Sequence, residues 1–204
     1  MISHFAKLGY EPIVGDSFTP DTPVFIKYNE TGLIDIKPIC ELINEDEINV
    51  DELGREYDYS RKDYKVLCRS GWIEPSYIYR HKTDKDIYEV SDGDMRIDVT
   101  EDHSLFNAEQ EKIKPSEINS NAELEYYQAE VSASANKKET GKNAYRAGKN
   151  MAEGCFDRVP SGFLNATQKT MEVFYRGFIE NYRDDIEYSK TCLAGLQYIK
   201  NQIK

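Results

Sequence analysis

The stretch IYEVSDGDMRIDVTEDH, residues 87–103, decides the fold of the amino-terminal part of the chain. Apolar and polar residues alternate on both sides of Asp92-Gly93, a dipeptide typical of the tight turn of a β-hairpin. Outward from this hairpin, short apolar or alternating runs recur with turn residues between them, which predicts an all-β unit. The predicted strands are 24–26, 34–36, 64–69, 72–81, 87–90 and 95–99, with a brief helix over 39–43 and a loop over 57–62.

Two other regions have helical spacing. Ile2, Phe5 and Leu8 predict a short helix near the start of the chain. Residues 121–204 contain two apolar stripes at helical spacing, and we expect both to be core packing, with Asn165 as the cap of the first helix. The first stripe is Met171, Phe174, Phe178 and Tyr182, and the second is Leu193, Leu196, Ile199 and Ile203.

Charge is distributed unevenly along the 204 residues, whose formal net charge is −11. Residues 17–120 contain 13 basic and 24 acidic residues and carry the whole imbalance, whereas residues 121–204 have a net charge of +1. This balance argues against a freestanding nucleic-acid-binding protein, which needs a basic surface. The acidic segment is either a solvated surface or a surface that attracts a basic partner.

Metal, cofactor and membrane functions find no support in the sequence. The four cysteines form no CxxC pair and the chain has three His, so we expect no zinc site, no cofactor and reduced thiols. No apolar window is long enough to cross a membrane, and the first residues do not resemble a signal peptide. These features predict a cytoplasmic protein that does not bind membranes.

Thr100 and His103 are the candidate reactive residues, because they lie three positions apart on a turn that follows a predicted strand. Such a turn can direct an imidazole and a hydroxyl at one peptide bond, an arrangement suited to acyl transfer that lacks a nucleophile. The alternative is that a single His after a strand has a structural role.

The run from Gly15 to Lys27 suggests the nucleophile, and here the sequence resembles an intein, an autocatalytic protein-splicing element. The stretch from Ser17 to Lys27 resembles the first intein block, with a nucleophile followed by Asp21-Thr22, and Thr100-Glu101-Asp102-His103 resembles the second, Thr-x-x-His. The resemblance implies a mainly β, Hint-type horseshoe fold for residues 17–120 and a single-turnover, autocatalytic activity.

Residues 1–16 resemble the approach to the palm motif of B-family DNA polymerases, in which a Tyr-Gly-Asp run continues into Thr-Asp-Ser. Val14-Gly15-Asp16 stands at the Tyr-Gly-Asp position, and the pattern stops after Asp16. The resemblance implies that residues 1–16 are a short N-extein and that Asp16-Ser17 is the scissile bond.

Residues 121–204 resemble a reduced LAGLIDADG homing endonuclease, which implies a small α-rich remnant. Arg146–Gly154 is similar to the first signature helix, with Glu153 at its metal-binding position, and Tyr175–Arg183 is similar to the second, where Tyr182 replaces the carboxylate. We therefore expect no endonuclease activity. The alternative reading of the whole chain is a LAGLIDADG-type homing endonuclease or DNA-binding protein.

An intein closes with His-Asn, and this chain ends Asn201-Gln202-Ile203-Lys204. We therefore expect the N-terminal half of a split intein, which acts in trans with a basic C-terminal fragment that ends in His-Asn and precedes the polymerase C-extein. If the protein is encoded by a phage, the expected location is the cytoplasm of the host cell.

The resemblance implies an N-to-O acyl shift at Ser17, with His103 as the proton donor and Thr100 supporting the tetrahedral centre. Supporting roles fall to Asp21, Thr22 and Asp102.

Overall fold

The computed structural model describes residues 2–5, 18–68, 71–91, 96–107, 109, 111–118, 124 and 141–203. Within these ranges the chain is β-rich, with antiparallel strands followed by helices, which agrees with the predicted mainly β class. The strands are β1 (Ile2–Phe5), β2 (Pro23–Tyr28), β3 (Ile34–Pro38), β4 (Ile48–Val50), β5 (Glu56–Asp58), β6 (Tyr64–Cys68), β7 (Gly71–Ile73), β8 (Ile78–His81), β9 (Ile87–Ser91), β10 (Arg96–Thr100), β11 (Leu105–Phe106) and β12 (Lys112–Ile113). The helices are α1 (Gly141–Ala152), α2 (Ser161–Leu164), α3 (Gln168–Ile179) and α4 (Lys190–Gln202), and single 3₁₀ turns occur at Ile39–Leu42, Glu45–Glu47 and Pro115–Glu117.

The chain divides into two compact units. The first unit contains Met1–Thr22, Pro38–Lys62 and Leu67–Glu130, and the second contains Pro23–Lys37, Asp63–Val66 and Val131–Lys204. Strands β2 and β3 therefore group in space with the helices. The division of the sequence after residues 16 and 120, into N-extein, splicing region and endonuclease-like remnant, stays a prediction.

A four-stranded antiparallel sheet with the order β1-β8-β5-β4 lies in the first unit. Strand β1 pairs with β8 so that Ile2 is opposite His81 and Phe5 is opposite Ile78. The helix predicted from the spacing of Ile2, Phe5 and Leu8 is thus wrong for residues 2–5. An isolated helix of this length is unstable, whereas the edge of β8 provides hydrogen-bond partners for a strand.

The β9–β10 hairpin confirms the prediction made from Asp92-Gly93. Its antiparallel register pairs Ser91 with Arg96 and Thr100 with Ile87, and the turn residues themselves lie outside the described residues. Val99 and Thr100, at the end of β10, have no exposed surface. Thr100, at the end of this hairpin, therefore lies in the interior of the first unit.

Asp58 is a buried charge in the stretch predicted to be a loop. Residues 57 and 58 belong to β5, and only the following residues are irregular. The Asp58 carboxylate is fully buried, and it accepts hydrogen bonds from the backbone of Asn44 at 2.6 Å and of Ser60 at 2.8 Å. It also pairs with the Lys62 ammonium, whose side chain is 6% exposed. These partners offset the cost of burying the charge.

Strands β3, β2 and β6 are neighbours in that order, and the second unit contains β2, β3 up to Lys37 and β6 up to Val66. Ile34 and Ile36 of β3 are buried. Asn165 does not cap the following helix as predicted; instead its side chain binds β3. Its Oδ1 accepts from Ile34 N at 2.8 Å, and its Nδ2 donates to Ile34 O at 2.7 Å. The cap of α3 is Thr167, whose side chain accepts from Thr170 N. Burial of Asn165 against a strand outweighs the local capping pattern because both of its polar groups are satisfied there.

The predicted apolar stripe of α3 is confirmed for Met171, Phe174 and Phe178, which are all buried. Tyr182 lies beyond the end of the helix and is 50% exposed. The second stripe lies on α4, where Leu196 and Ile199 are buried. Among the described residues, the helices are all too short and too polar to cross a membrane.

Candidate functional site

Thr100 and His103 lie on one closed turn in the first unit. Thr100 ends β10, and the backbone N–H of His103 donates to the carbonyl of Thr100 at 2.9 Å. Thr100 is fully buried and His103 is 6% exposed. The turn therefore carries a hydroxyl and an imidazole that are both largely shielded from water.

Phe18 brings the start of the predicted splicing region to this turn. It forms a β-bridge with Val99, and the amide N–H of Thr19 donates to the carbonyl of Asp98 at 3.2 Å. The Phe18 ring meets the imidazole of His103 edge-on, with 4.6 Å between the ring centroids. Asp16 and Ser17 lie outside the described residues; Phe18 is the residue that follows them in the chain.

Thr22 and Asp21 belong to the turn that follows Phe18. The N–H of Thr22 donates to the carbonyl of Thr19 at 3.1 Å, and the carbonyl of Thr22 accepts from Ile39 N at 2.8 Å. Thr22 is 7% exposed, whereas Asp21 is exposed. Thr22 therefore anchors the segment that carries Phe18 and Thr19, and Asp21 lies at the surface of the same turn.

Asp102 lies on the Thr100–His103 turn and forms an ion pair with Lys85. Burial alone would raise the pKa of Asp102, but hydrogen bonds from Lys85 and from the Thr100 hydroxyl lower it, and the net pKa lies below the usual value. Asp102 is therefore a carboxylate at neutral pH. Sequence reasoning missed Lys85, yet the hairpin register contained the signal: pairing of Thr100 with Ile87 places residue 85 near residue 102.

His81 is a second histidine in the electrostatic environment of this ion pair. Burial lowers the pKa of His81, the positive charges of Lys85 and Arg55 lower it further, and the negative charge of Asp102 opposes them. Its ring stacks on Tyr79 with centroids 5.1 Å apart. His81 is therefore held in its neutral form at pH 7.

Helices α1 and α3 of the second unit approach each other through a reciprocal pair of glycines. A Cβ at Gly148 would lie 2.0 Å from the carbonyl oxygen of Phe174, and a Cβ at Gly177 would lie 2.2 Å from that of Tyr145. Each carbonyl belongs to the residue three positions before the opposite glycine, so the two contacts are equivalent under exchange of the helices. Only glycine permits this backbone contact.

This equivalence relates Glu153 to Tyr182, because each lies five positions after its glycine. The Glu153 side chain is 42% exposed, and its carboxylate is 3.7 Å from Lys149 Nζ. Tyr182 stacks on Tyr188 with 5.6 Å between centroids, and Tyr188 Oη donates to the carbonyl of Ala152 at 2.8 Å. The carboxylate that follows one of the two helices is thus matched by an aromatic side chain after the other.

No group of three or more metal-binding side chains occurs in the part of the chain that the structure describes. The four cysteines all fall within that part, and none forms a disulfide. Cys192 is fully buried, and burial raises the pKa of its thiol to about 12. Cys192 is therefore a neutral, unreactive thiol at physiological pH.

Comparisons with known proteins connect the chain to DNA polymerases over about half of its length. It is 36% identical over 128 residues to a DNA polymerase of Acanthamoeba polyphaga mimivirus, which covers 55% of this chain and 7% of that protein. A DNA polymerase of Thermococcus aggregans is 32% identical over 120 residues, with 55% and 6% covered, and one of Thermococcus hydrothermalis is 31% identical over 124 residues, with 53% and 7% covered. The chain thus spans less than a tenth of the length of these relatives. No family model matches the chain.

Proposed function

We propose that residues 17–120 belong to an intein inserted in a B-family DNA polymerase, and that this chain is the N-terminal half of a split intein. The observation that carries the proposal is the contact of Phe18 with Val99 and His103. Phe18 directly follows the predicted nucleophile, Ser17, in the chain, and it lies beside the Thr100–His103 turn. The similarity to DNA polymerases of a virus and of archaea supports the predicted host protein.

In the proposed reaction the Oγ of Ser17 attacks the carbonyl carbon of Asp16. A C–O bond forms, the Asp16–Ser17 peptide bond breaks, and the hydroxyl proton of Ser17 passes to solvent, so that one proton leaves for each proton that the nitrogen takes up. The nitrogen of Ser17 becomes an amine and takes a proton, for which the buried imidazole of His103 is the donor. The product is an ester that links residues 1–16 to the side chain of Ser17.

Thr100 and the turn that contains Thr22 have supporting roles. The buried Thr100 hydroxyl stabilises the tetrahedral centre or strains the scissile bond. Thr22 fixes the segment after Ser17 through its backbone hydrogen bonds to Thr19 and Ile39. Serine is a weak nucleophile, so this positioning supplies much of the rate.

The remaining steps need residues that this sequence lacks. None of its three His is followed by Asn, the pair with which an intein closes. We propose that a separate, basic C-terminal fragment supplies this pair and the polymerase C-extein. The acyl group of residues 1–16 is then transferred from Ser17, which regains its hydroxyl, to the hydroxyl or thiol of the first residue of the C-extein, and cyclisation of the asparagine releases the intein. Splicing occurs once per molecule, without a cofactor, and in the cytoplasm.

A second candidate function is that of a LAGLIDADG-type endonuclease, favoured by the reciprocal contact of Gly148 and Gly177. The equivalent positions of Glu153 and Tyr182 weigh against catalysis, because a single carboxylate is a poor substitute for a metal-binding pair. We therefore propose that residues 121–204 are an endonuclease remnant that has kept its helix packing.

Hydroxylamine tests the splicing function on this chain by itself. It attacks the ester at Ser17 and releases residues 1–16 as a hydroxamic acid, which mass spectrometry identifies. Ser17→Ala should abolish this cleavage, whereas Ser116→Ala, a change at an exposed serine of the first unit, should not alter it. Cleavage of the Ser17→Ala variant at the wild-type rate would disprove the proposed nucleophile.

A further inference from the structure

The loop that precedes β9 runs alongside the Thr100–His103 turn. Glu101 N donates to the carbonyl of Asp86 at 2.9 Å, directly beyond the register pair of Thr100 with Ile87. Within the loop, the backbone N–H of Lys85 donates to Thr83 Oγ1 at 3.2 Å. The loop and the turn are therefore joined by a backbone hydrogen bond that continues the hairpin ladder.

Lys85 adds an ionic link between the loop and the turn. Its ammonium group forms an ion pair with Oδ2 of Asp102. The two side chains are 38% and 34% exposed, whereas Thr100 has no exposed surface. The ion pair thus lies at the outer side of the turn, with a buried hydroxyl two residues away in the chain.

The charges around Asp102 act in one direction. Burial favours the protonated carboxyl group, but Lys85 and the Thr100 hydroxyl favour the carboxylate and leave its pKa below the usual range. His81 is a titratable group that interacts with both members of the pair, and it is neutral at pH 7 because burial, Lys85 and Arg55 lower its pKa. Lys85 therefore keeps Asp102 ionised, and the neutral His81 does not compete with Lys85 as a cationic partner of Asp102.

We infer that Lys85 is a positioning residue of this site: through Asp102 it fixes the direction of the Thr100 hydroxyl beside His103. The inference rests on the proposed splicing function. A threonine hydroxyl has one proton, so a hydroxyl that donates to Asp102 cannot also donate to the tetrahedral centre. Of the two roles proposed for Thr100, this arrangement supports strain on the scissile bond, with the lone pairs of the hydroxyl directed at the site. Lys85 acts at a distance and does not touch the reacting atoms.

The test measures hydroxylamine cleavage from pH 5 to pH 8, as a ratio to the wild-type rate at each pH. Lys85→Met should lower the rate by about 10- to 100-fold, the cost of misplacing a group by roughly 1 Å. The loss should be largest at pH 5, because without Lys85 burial raises the pKa of Asp102 and its protonated form no longer orients Thr100. Lys85→Arg should restore most of the rate, and Lys82→Met, at an exposed position of the same loop, should leave it unchanged.

Three results would overturn the inference. One is a wild-type rate for Lys85→Met. Another is a deficit that is equal at every pH and accompanied by a lower melting temperature, which would indicate a structural role. The third comes from NMR on the unreacted chain, in which Lys85→Met should raise the pKa of Asp102 and change the side-chain rotamer of Thr100. An unchanged rotamer would contradict the inference. This measurement does not require that the wild-type chain cleaves. Absence of Ser17-dependent cleavage in the wild-type chain would count against the splicing function alone.

Discussion

The ring of Phe18 meets the imidazole of His103 edge-on at 4.6 Å, although the two residues are separated by most of the first unit in sequence. Because Phe18 also pairs with Val99, both its backbone and its ring are fixed against the same turn. The contact restricts His103 on one side, which is a requirement for an imidazole that must deliver a proton to a single nitrogen atom.

His103→Ala should slow cleavage at Asp16-Ser17 by about 10²-fold or more, the usual effect of losing a general acid. The hydroxylamine assay measures this rate. Phe18→Leu serves as a comparison, because it keeps an apolar side chain at the bridge with Val99 and keeps the imidazole but removes the ring that restricts it, so it should slow cleavage less than His103→Ala does. An unchanged rate for His103→Ala would return this residue to a structural role.

Asp58→Asn should destabilise the first unit by about 3 kcal/mol or more, because it leaves the Lys62 ammonium buried without a counter-charge. Chemical denaturation measures the change. The double variant Asp58→Asn with Lys62→Met should recover part of the loss, since it removes the unpaired charge. Equal stability of the single and double variants would show that the ion pair is not the source of the effect.

Acid should also destabilise the protein through Asp58. Burial would raise the pKa of Asp58, but Lys62, Ser60 and Asn44 lower it below its value in the unfolded chain. The unfolded state therefore binds the proton more readily, and the contribution of Asp58 to stability is complete above pH ~4 and is lost as pH falls through the folded-state pKa. Unfolding midpoints should fall in this pH range for the wild type and change less for the Asp58→Asn variant.

Gly148→Ala and Gly177→Ala should each destabilise the second unit by about 1–3 kcal/mol, because a methyl group meets a carbonyl oxygen and forces the helices apart. On helix propensity alone the same change would stabilise by up to ~1 kcal/mol, so the sign of the effect is decisive. Gly195→Ala is a suitable comparison, since its methyl group would meet the Val159 side chain at 2.7 Å. Rotation of Val159 can relieve the contact with its Cγ2 but not the one with its Cβ at 2.9 Å, so the cost there should be smaller than at Gly148 or Gly177 but not zero.

Asp16 should promote premature cleavage when the later steps are blocked. Once the main-chain carbonyl of Asp16 is an ester, the Asp16 carboxylate can attack that carbonyl carbon and close a five-membered anhydride. The ester C–O bond breaks, Ser17 regains its hydroxyl, and water then opens the anhydride. With a partner that lacks its closing nucleophile, release of residues 1–16 should be faster than in Asp16→Asn or Asp16→Gly, and it should increase with pH as the carboxyl group ionises. Equal release from Asp16→Gly would exclude the anhydride.

Association with the C-terminal fragment should slow as salt concentration rises. Residues 17–120 have a net charge of −11, and attraction of a basic chain is screened beyond ~10 Å at 0.1 M salt. Stopped-flow measurements at several salt concentrations give the association rate. A rate that does not depend on salt would show that the acidic segment serves solubility alone.

Short-range signals predicted the part of the site that lies within one hairpin. Asp92-Gly93 and the alternation around it fix the register of β9 and β10, and the register places Thr100 and His103 on the turn that follows. Lys85 is reached by extending the same register by two positions, which shows that the information was present although the polar loop gave no local sign of it.

Contacts between distant segments could not be predicted from local patterns. Asn165 has the appearance of a helix cap, but its partner Ile34 is 131 residues away. Asp58 lies in a polar run that resembles a surface loop, and it is buried because Asn44, Ser60 and Lys62 satisfy its oxygens. In both cases the buried position is stabilised by hydrogen bonds between polar groups in the interior. The pattern of apolar residues in the sequence does not predict such bonds.

The side chain of Asn165 reproduces, with one amide group, the pair of hydrogen bonds that a neighbouring strand would make with Ile34. β3 is the terminal strand in the order β3-β2-β6, so these backbone groups are the ones that an incoming chain would use. Exposed strand edges of this kind lead to intermolecular pairing and aggregation. Asn165 therefore protects the protein from self-association at this edge, in addition to joining the helices to the sheet.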